Sequence, residues 1–214
     1  MSTNNNEQLA IVFDLGGVLI DWNRQYLYRG MFDGDEAELN NFLTTVCPLE
    51  WNAKQDAGRS FAEAIAERVH LFPEYTPYIQ AYFSRWQEMI GGEITGTVHV
   101  LSALRDKGYP LYALSNWSAE TYPLVRKRFE FFNWFREVIL SGEEKIAKPD
   151  PAIYNILLHR INREAQQCLF IDDSEQNILA AKQLGFQTIL YSSTEALYSE
   201  LIGRKFDISL TVNR

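Results

Sequence analysis

The stretch Leu9-Ala10-Ile11-Val12-Phe13-Asp14-Leu15-Gly16-Gly17-Val18-Leu19 sets the architecture of this chain. From residue 9 to residue 13 every side chain is apolar, and Ile, Val and Phe follow one another. An alternating pattern would leave one face wet. An unbroken one predicts a strand covered on both faces, as in a parallel sheet. The run ends at Asp14, and Gly16 and Gly17 follow. A carboxylate and two glycines at the end of a buried strand mark a site, because ligands of open parallel sheets bind beyond the strands' carboxyl ends.

Toward the C-terminus the chain alternates. Short, largely apolar runs at 111–114 (LYAL), 137–140 (EVIL), 168–171 (CLFI) and 187–191 (QTILY) predict four more strands. Helices are expected at 97–107, stopped by Gly108, at 119–129, from about Pro151, and at 175–184, stopped by Gly185. Repeated strand–helix units imply an α/β fold, a Rossmann-like doubly wound parallel sheet with right-handed crossovers. Residues 24–92 differ, being helical with no convincing strand. Ser60-Phe61-Ala62-Glu63 has the capping-box pattern of a helix start. Apolar residues at 78, 79, 82, 83, 86, 89 and 90 predict one amphipathic helix over 78–90. Gly91-Gly92 then reads as either a helix stop or a hinge. The expected organisation is a core of residues 1–23 and 93–214, with a helical domain, 24–92, inserted after the first strand.

Composition narrows the function. With 214 residues, 46% of them hydrophobic, the chain can bury a sizeable core. Its formal charge of −8 disfavours nucleic acid and anionic membranes as partners. No apolar run approaches the roughly 18 residues of a membrane helix. The polar start, MSTNNNEQLA, lacks a signal-peptide layout. Two distant cysteines, Cys47 and Cys168, argue against a disulfide framework and for a reducing, cytoplasmic setting.

Four polar clusters fall at strand ends or in the loops beyond them: Asp14, Ser115-Asn116, Lys148-Pro149 and Asp172-Asp173. Along one edge of a doubly wound sheet, groups more than a hundred residues apart can meet. Asp14, Asp172 and Asp173 would repel one another there unless a divalent cation joined them. Hard oxygen ligands without a Cys or His pair point to Mg²⁺. Asp172-Asp173-Ser174 also suits a helix start, with Ser174 as cap, and that reading stays open. Ser115, Asn116 and Lys148 offer a hydroxyl, an amide and an ammonium, a donor set for a phosphoryl group. Taken singly, Ser-Asn is an ordinary turn pair.

Together, Phe13-Asp14-Leu15-Gly16-Gly17-Val18-Leu19, Ser115-Asn116, Lys148-Pro149 and Asp172-Asp173 resemble the haloacid dehalogenase-like hydrolase superfamily. The likeness spans nearly the whole chain, and the helical insert resembles that superfamily's helical cap. FDLGGVL with DDSEQN (Asp172 to Asn177) is similar to the branch of bacterial sugar-phosphate phosphatases, of the alpha-glucose-1-phosphate type. The resemblance implies that Asp14 is a nucleophile forming an aspartyl-phosphate. It implies that Asp14, the Gly16 carbonyl and Asp173 hold Mg²⁺, with Asp172 either a further ligand or directly behind the ligands. Ser115, Asn116, Lys148 and the backbone N–H groups of Leu15 and Gly16 would hold the phosphoryl oxygens. The implied partner is a small phosphorylated metabolite, and the implied assembly a monomer or weak homodimer.

One position departs from the pattern. Most phosphatases of the superfamily carry a second Asp two residues after the nucleophile, as acid and base, and this chain has Gly16. Three readings follow: a substrate with a good leaving group, a substitute such as Glu50, Asp56 or water, or a weakly catalytic phosphate-binding or regulatory protein. Dehalogenases of the superfamily also lack that Asp, but they work without metal and do not present the acidic pair of Asp172-Asp173. Specificity is expected from the insert, where Trp51 could stack on a sugar ring and Asn52 or Arg59 bind hydroxyls. Trp51 in the insert's own core and Arg59 as a surface charge are the alternatives. Asp21, His70, His99 and His159 read as structural or exposed, and Phe129–Phe135 as core or an oligomer contact.

Overall fold

The computed structural model describes residues 8–209. Most of the polar start discussed above, residues 1–7, lies outside them, as do residues 210–214. In chain order the strands are β1 (Ala10–Phe13), β2 (Ile20–Trp22), β3 (Ile90–Glu93), β4 (Leu111–Ser115), β5 (Glu137–Leu140), β6 (Cys168–Asp172) and β7 (Gln187–Leu190). Five of them form one sheet in the order β5-β4-β1-β6-β7, every neighbouring pair parallel. The five strands predicted from the apolar runs are these five. β1 is central, with Phe13 in register with Ala113 on one side and Ile171 on the other.

The unbroken apolar runs have their physical reason in the two faces of this sheet. Ile11, Phe13, Leu111, Ala113, Leu169 and Ile171 pack into one cluster. The alternating partners Ala10, Val12, Tyr112, Leu114, Cys168 and Phe170 pack into another. Successive side chains of a strand point to opposite faces, so both sets are apolar when both faces are covered.

The helices are α1 (Gln25–Met31), α2 (Glu36–Asn41), α3 (Leu49–Asp56), α4 (Phe61–Leu71), α5 (Thr76–Ser84), α6 (Thr95–Asp106), α7 (Tyr122–Val125), α8 (Ser141–Glu144), α9 (Pro151–Ile161), α10 (Glu175–Gln183) and α11 (Thr194–Gly203). α6 and α11 supply Val98, Leu101, Leu197 and Leu201 to the first cluster. α9 and α10 supply Ile153, Leu157, Ile178 and Ala181 to the second. α1 to α5 belong to the insert. α4 starts where its capping pattern predicts: the Ser60 hydroxyl accepts from the Glu63 amide and donates to the Glu63 carboxylate. Among the described residues no helix is long and apolar enough to cross a membrane.

Two expected helices are shorter than predicted. The 78–90 pattern belongs to α5, a 3-10 turn over Trp86–Met89 and the first residue of β3. β3 pairs antiparallel with β2, Ile90 opposite Trp22 and Gly92 opposite Asp21. That pairing joins residues about seventy positions apart, so local periodicity carries no trace of it. Gly91 belongs to this close ribbon: a Cβ there would lie 2.4 Å from the Asp21 carboxylate. The expected 119–129 helix shrinks to α7 and is followed by a 3-10 turn over Glu130–Trp134. Phe129 turns extended between them, and Phe129, Phe131, Phe132 and Phe135 are all buried. A continuous helix would swing part of that ring cluster into water.

Candidate active site

The sheet delivers the site residues to one edge. The Asp14 amide donates to the Ile171 carbonyl at 2.8 Å, so the β1–β6 pairing runs on until Asp14 reaches the end of β6. β4 ends on the other side of β1 at Ser115, whose side chain lies beside the Asp14 carboxylate and favours its anion. Lys148 comes from the loop between α8 and α9. Its ammonium donates to Asp172 Oδ2 at 2.6 Å and to the Leu114 carbonyl at 2.8 Å, and lies 3.0 Å from Asp14 Oδ2. Asp14, Lys148 and Ser115, predicted from motifs a hundred residues apart, therefore meet.

Asn116 has a task beyond the one expected of it. Its amide donates to the Lys148 carbonyl at 2.9 Å, and its Oδ1 accepts from the Lys148 amide at 2.8 Å. This two-way clamp fixes the backbone that carries the ammonium and leaves one N–H of the amide for a ligand. Leu15 likewise donates its N–H at 2.7 Å to Asp14 Oδ1, orienting the carboxylate.

The three carboxylates are not equivalent. Asp172 is fully buried. Its Oδ1 accepts from the Ser174 amide and from Asn177, and its Oδ2 from Lys148 and Asn177. Three donor groups therefore hold Asp172, which anchors Lys148, and one of its oxygens still lies within reach of an ion shared with Asp14 and Asp173. Ser174 also caps α10, so the helix-start reading of this segment holds alongside the site reading. Asp173 is exposed, and its carboxylate packs against Gly17, where a Cβ would lie 2.2 Å from Oδ2. Gly17 has φ +75°, a backbone that suits glycine.

The charges show what kind of ligand the site suits. One oxygen from each of Asp14, Asp172 and Asp173 lies within 4.8 Å of the others. Three carboxylates against one ammonium leave two surplus negative charges in a largely buried cluster. Burial, aided by the Asp172 charge, pushes Asp14 up to about 7 despite the pull of Lys148. Burial and Asp172 raise Asp173 as well. Burial works against the Lys148 ammonium, but Asp14 and Asp172 together hold its pKa above the usual lysine value. A divalent cation with oxygen ligands fits this donor set and this deficit. Asp14, Asp173 and the Gly16 carbonyl are the groups that would hold it.

Beside these residues lies a cleft of about 430 Å³ of empty space, part of it open to solvent. Gly16, Asn116 and Trp117 border it from the core, Ile20 and Trp22 from β2, and Asn52, Asp56 and Trp86 from the insert. Trp51 is not among them. It is 1% exposed and packs edge-on to Tyr82, 4.8 Å between ring centres, so its stacking role is corrected to insert core. Asn52 does border the cleft, with its Oδ1 held by the Tyr82 hydroxyl at 3.0 Å. Arg59 is tied within the insert to Gln55 and Glu67. Glu50 is exposed and away from the cleft, and Asp21 accepts a hydrogen bond from Tyr26 on the ribbon. His70, His99 and His159 are exposed. Cys47 and Cys168 are buried, each pushed up to about 12 by burial, which leaves them unreactive.

Trp22, Trp86 and Trp117 were not legible as site residues. Only Trp117 carries a sequence signal, its place directly after Ser115-Asn116. Asn177 and Ser141 are further support residues, the latter accepting from the Trp117 amide at 2.9 Å.

Known proteins resemble this chain to differing degrees. The acyl-CoA dehydrogenase family member 10 of Mus musculus is 31% identical over 213 residues, covering 90% of this chain and 18% of that protein. Phosphoglycolate phosphatase of Vibrio cholerae is 28% identical over 132 residues, covering 58% of each. The chain thus spans less than two thirds of the length of either relative. A HAD family enzyme of Bacteroides thetaiotaomicron, solved as the wild-type protein with magnesium and inorganic phosphate, is 25% identical. That likeness covers 87% of this chain and 95% of that one, with a TM-score of 0.67. The family model for haloacid dehalogenase-like hydrolases matches residues 9–185. That span holds all four polar clusters, and the chain belongs to the haloacid dehalogenase-like hydrolase family.

Proposed function

We propose that this hydrolase is a Mg²⁺-dependent phosphatase that cleaves a small phosphorylated metabolite, a sugar phosphate first among them, through an aspartyl-phosphate on Asp14. The observation that carries the reading is the surplus of two negative charges around the buried Lys148, next to a cleft with room for an organic group. A dehalogenase needs no such acidic pair. Trp22, Trp86 and Trp117, which line the cleft, suit the apolar part of a sugar. The proposed setting is cytoplasmic, as a monomer or weak homodimer, with neither nucleic acid nor membrane as partner.

In this reading Asp14, aimed by the Leu15 amide, attacks phosphorus in line with the leaving oxygen. Lys148, held by Asp172 and by the Asn116 clamp, sets a fixed positive charge against the phosphoryl oxygens. Bound Mg²⁺ supplies charge neutralisation and polarises the phosphoryl group. Water then releases phosphate from Asp14.

The test is turnover of p-nitrophenyl phosphate with Mg²⁺ and with EDTA, beside Asp14→Asn. Activity that needs Mg²⁺ and vanishes in Asp14→Asn supports the reading. Activity that survives EDTA overturns the metal-assisted mechanism. Phosphate binding without turnover of any phosphomonoester favours a binding protein, and chloride release from a 2-haloacid favours a dehalogenase.

A further inference from the structure

Proton transfer is the part of this reaction for which the core supplies no side chain. Gly16 borders the cleft but has no group to give, and the carboxylate that borders the same cleft is Asp56. It is the last residue of α3, and the insert presents it to the core at two points. Its backbone carbonyl accepts from the Ser141 hydroxyl, and its carboxylate lies beside the Ser118 amide, whose pull on the anion is outweighed by burial. Ser118 follows Trp117 in the loop after β4, and Ser141 opens α8, just ahead of the loop that carries Lys148. Asn52 holds Asp56 Oδ2 at 2.8 Å and is itself fixed by Tyr82 at 3.0 Å. Such a chain of hydrogen bonds locks a carboxyl group's orientation.

The placement also favours a carboxyl group that keeps its proton. A helix C-terminus carries partial negative charge and disfavours an anion. Burial adds to this and pushes Asp56 up to about 7, the range in which a group both gives and takes protons near neutrality. Glu50, the other candidate carboxylate of the insert, is exposed and does not border the cleft.

We propose that Asp56 is the general acid and base of this site, supplied by the insert in place of the missing acid at Gly16. The proposal rests on the phosphatase reading. As Asp14 forms its bond to phosphorus, the bond from phosphorus to the leaving oxygen breaks, and the Asp56 proton passes to that oxygen to release an alcohol. Water then forms a bond to phosphorus, the Asp14–phosphorus bond breaks, and a proton of that water returns to Asp56. The site is restored, and one water has been consumed.

The experiment compares Asp56→Asn with the wild-type enzyme on p-nitrophenyl phosphate and on alkyl phosphates such as glycerol phosphate, all with Mg²⁺. Nitrophenolate leaves without a proton, so the variant should give a burst of it, followed by slow turnover as phosphate accumulates on Asp14. Alkyl phosphates need the acid and should lose roughly a hundred- to ten-thousand-fold in kcat/KM with no burst. The double variant Gly16→Asp/Asp56→Asn should recover alkyl phosphate turnover, which a merely structural role for Asp56 would not produce. Equal losses of under threefold on both substrate classes, or a double variant no better than Asp56→Asn, would overturn the proposal. If the wild-type enzyme turns over no phosphomonoester, the phosphatase reading itself fails, and this inference with it.

Discussion

Replacing Lys148 by Met removes the one cation among three carboxylates while keeping the volume of the side chain. The Lys148 side chain is fully buried, with its ammonium 3.0 Å from Asp14 and 2.6 Å from Asp172. At an effective dielectric of about 20, those two distances correspond to roughly 5 and 6 kcal/mol of attraction. Desolvation of the three charges offsets most of this, several kcal/mol per ion. What the substitution exposes is the cost of leaving Asp14 and Asp172 without a cation, about 3–5 kcal/mol for a broken buried pair. Against a total stability of about 5–15 kcal/mol, the loss should be plain in urea unfolding near neutral pH with EDTA present. Adding Asp172→Asn should return about 1–2 kcal/mol, because an orphaned buried charge is then neutral. Acid should return more. Without the ammonium, Asp14 rises further above its ordinary 3.8, so its protonated form stabilises the fold below that value and the effect is lost as pH climbs through the folded pKa. A loss below about 1 kcal/mol, or no recovery on acidification, would show that Lys148 is not the charge centre of the site.

Three other outcomes follow from the same geometry. Gly17→Ala places a Cβ 2.2 Å from Asp173 Oδ2 at φ +75°, costing roughly 1–2 kcal/mol in backbone strain and displacing that carboxylate. A Mg²⁺ titration should show at least about tenfold weaker binding, a loss of roughly 1.4 kcal/mol. Gly16→Asp meets nothing within 4 Å of its Cβ, so the variant should fold, keep activity on p-nitrophenyl phosphate and gain on poor leaving groups. Total inactivation of a folded variant would show a site rebuilt around glycine. Asp14 and Asp56 are both raised by burial to about 7, so in EDTA the protein should melt at a higher temperature near pH 6 than near pH 8. Their contribution is complete below 3.8 and fades through about 7, and saturating Mg²⁺ should shrink the Asp14 part of that difference.

What could be read from the chain divides by the range of the interactions. Residues 9–13, 111–114 and 168–171 announce buried strands because both faces of each are covered, which is a property of each residue by itself. Asp14, Ser115, Lys148 and Asp173 could be placed at one edge because parallel topology puts strand ends there. Gly91-Gly92 and the segment after Gly17 could be read as crossings into the insert, but the pairing of Ile20–Trp22 with Ile90–Glu93 could not, since the partners lie far apart. The cleft wall escaped for the same reason. Trp51 and Trp86 are both tryptophans of the insert, and only the docking of insert on core decides that Trp86 borders the cleft and Trp51 does not. The separation of Asp172 from Asp173 depends on four hydrogen bonds to Asp172, three of them from α10 and its cap, which no spacing rule specifies.

Acid quenching of the enzyme during turnover with Mg²⁺, followed by peptide mapping of the phosphorylated residue, bears on the whole scheme at once. Phosphate recovered as an acyl-phosphate on the peptide carrying Asp14, and absent in Asp14→Asn or in EDTA, is the result this site predicts. Rapid turnover with phosphate trapped on another residue, or undiminished turnover by Asp14→Asn, would contradict it.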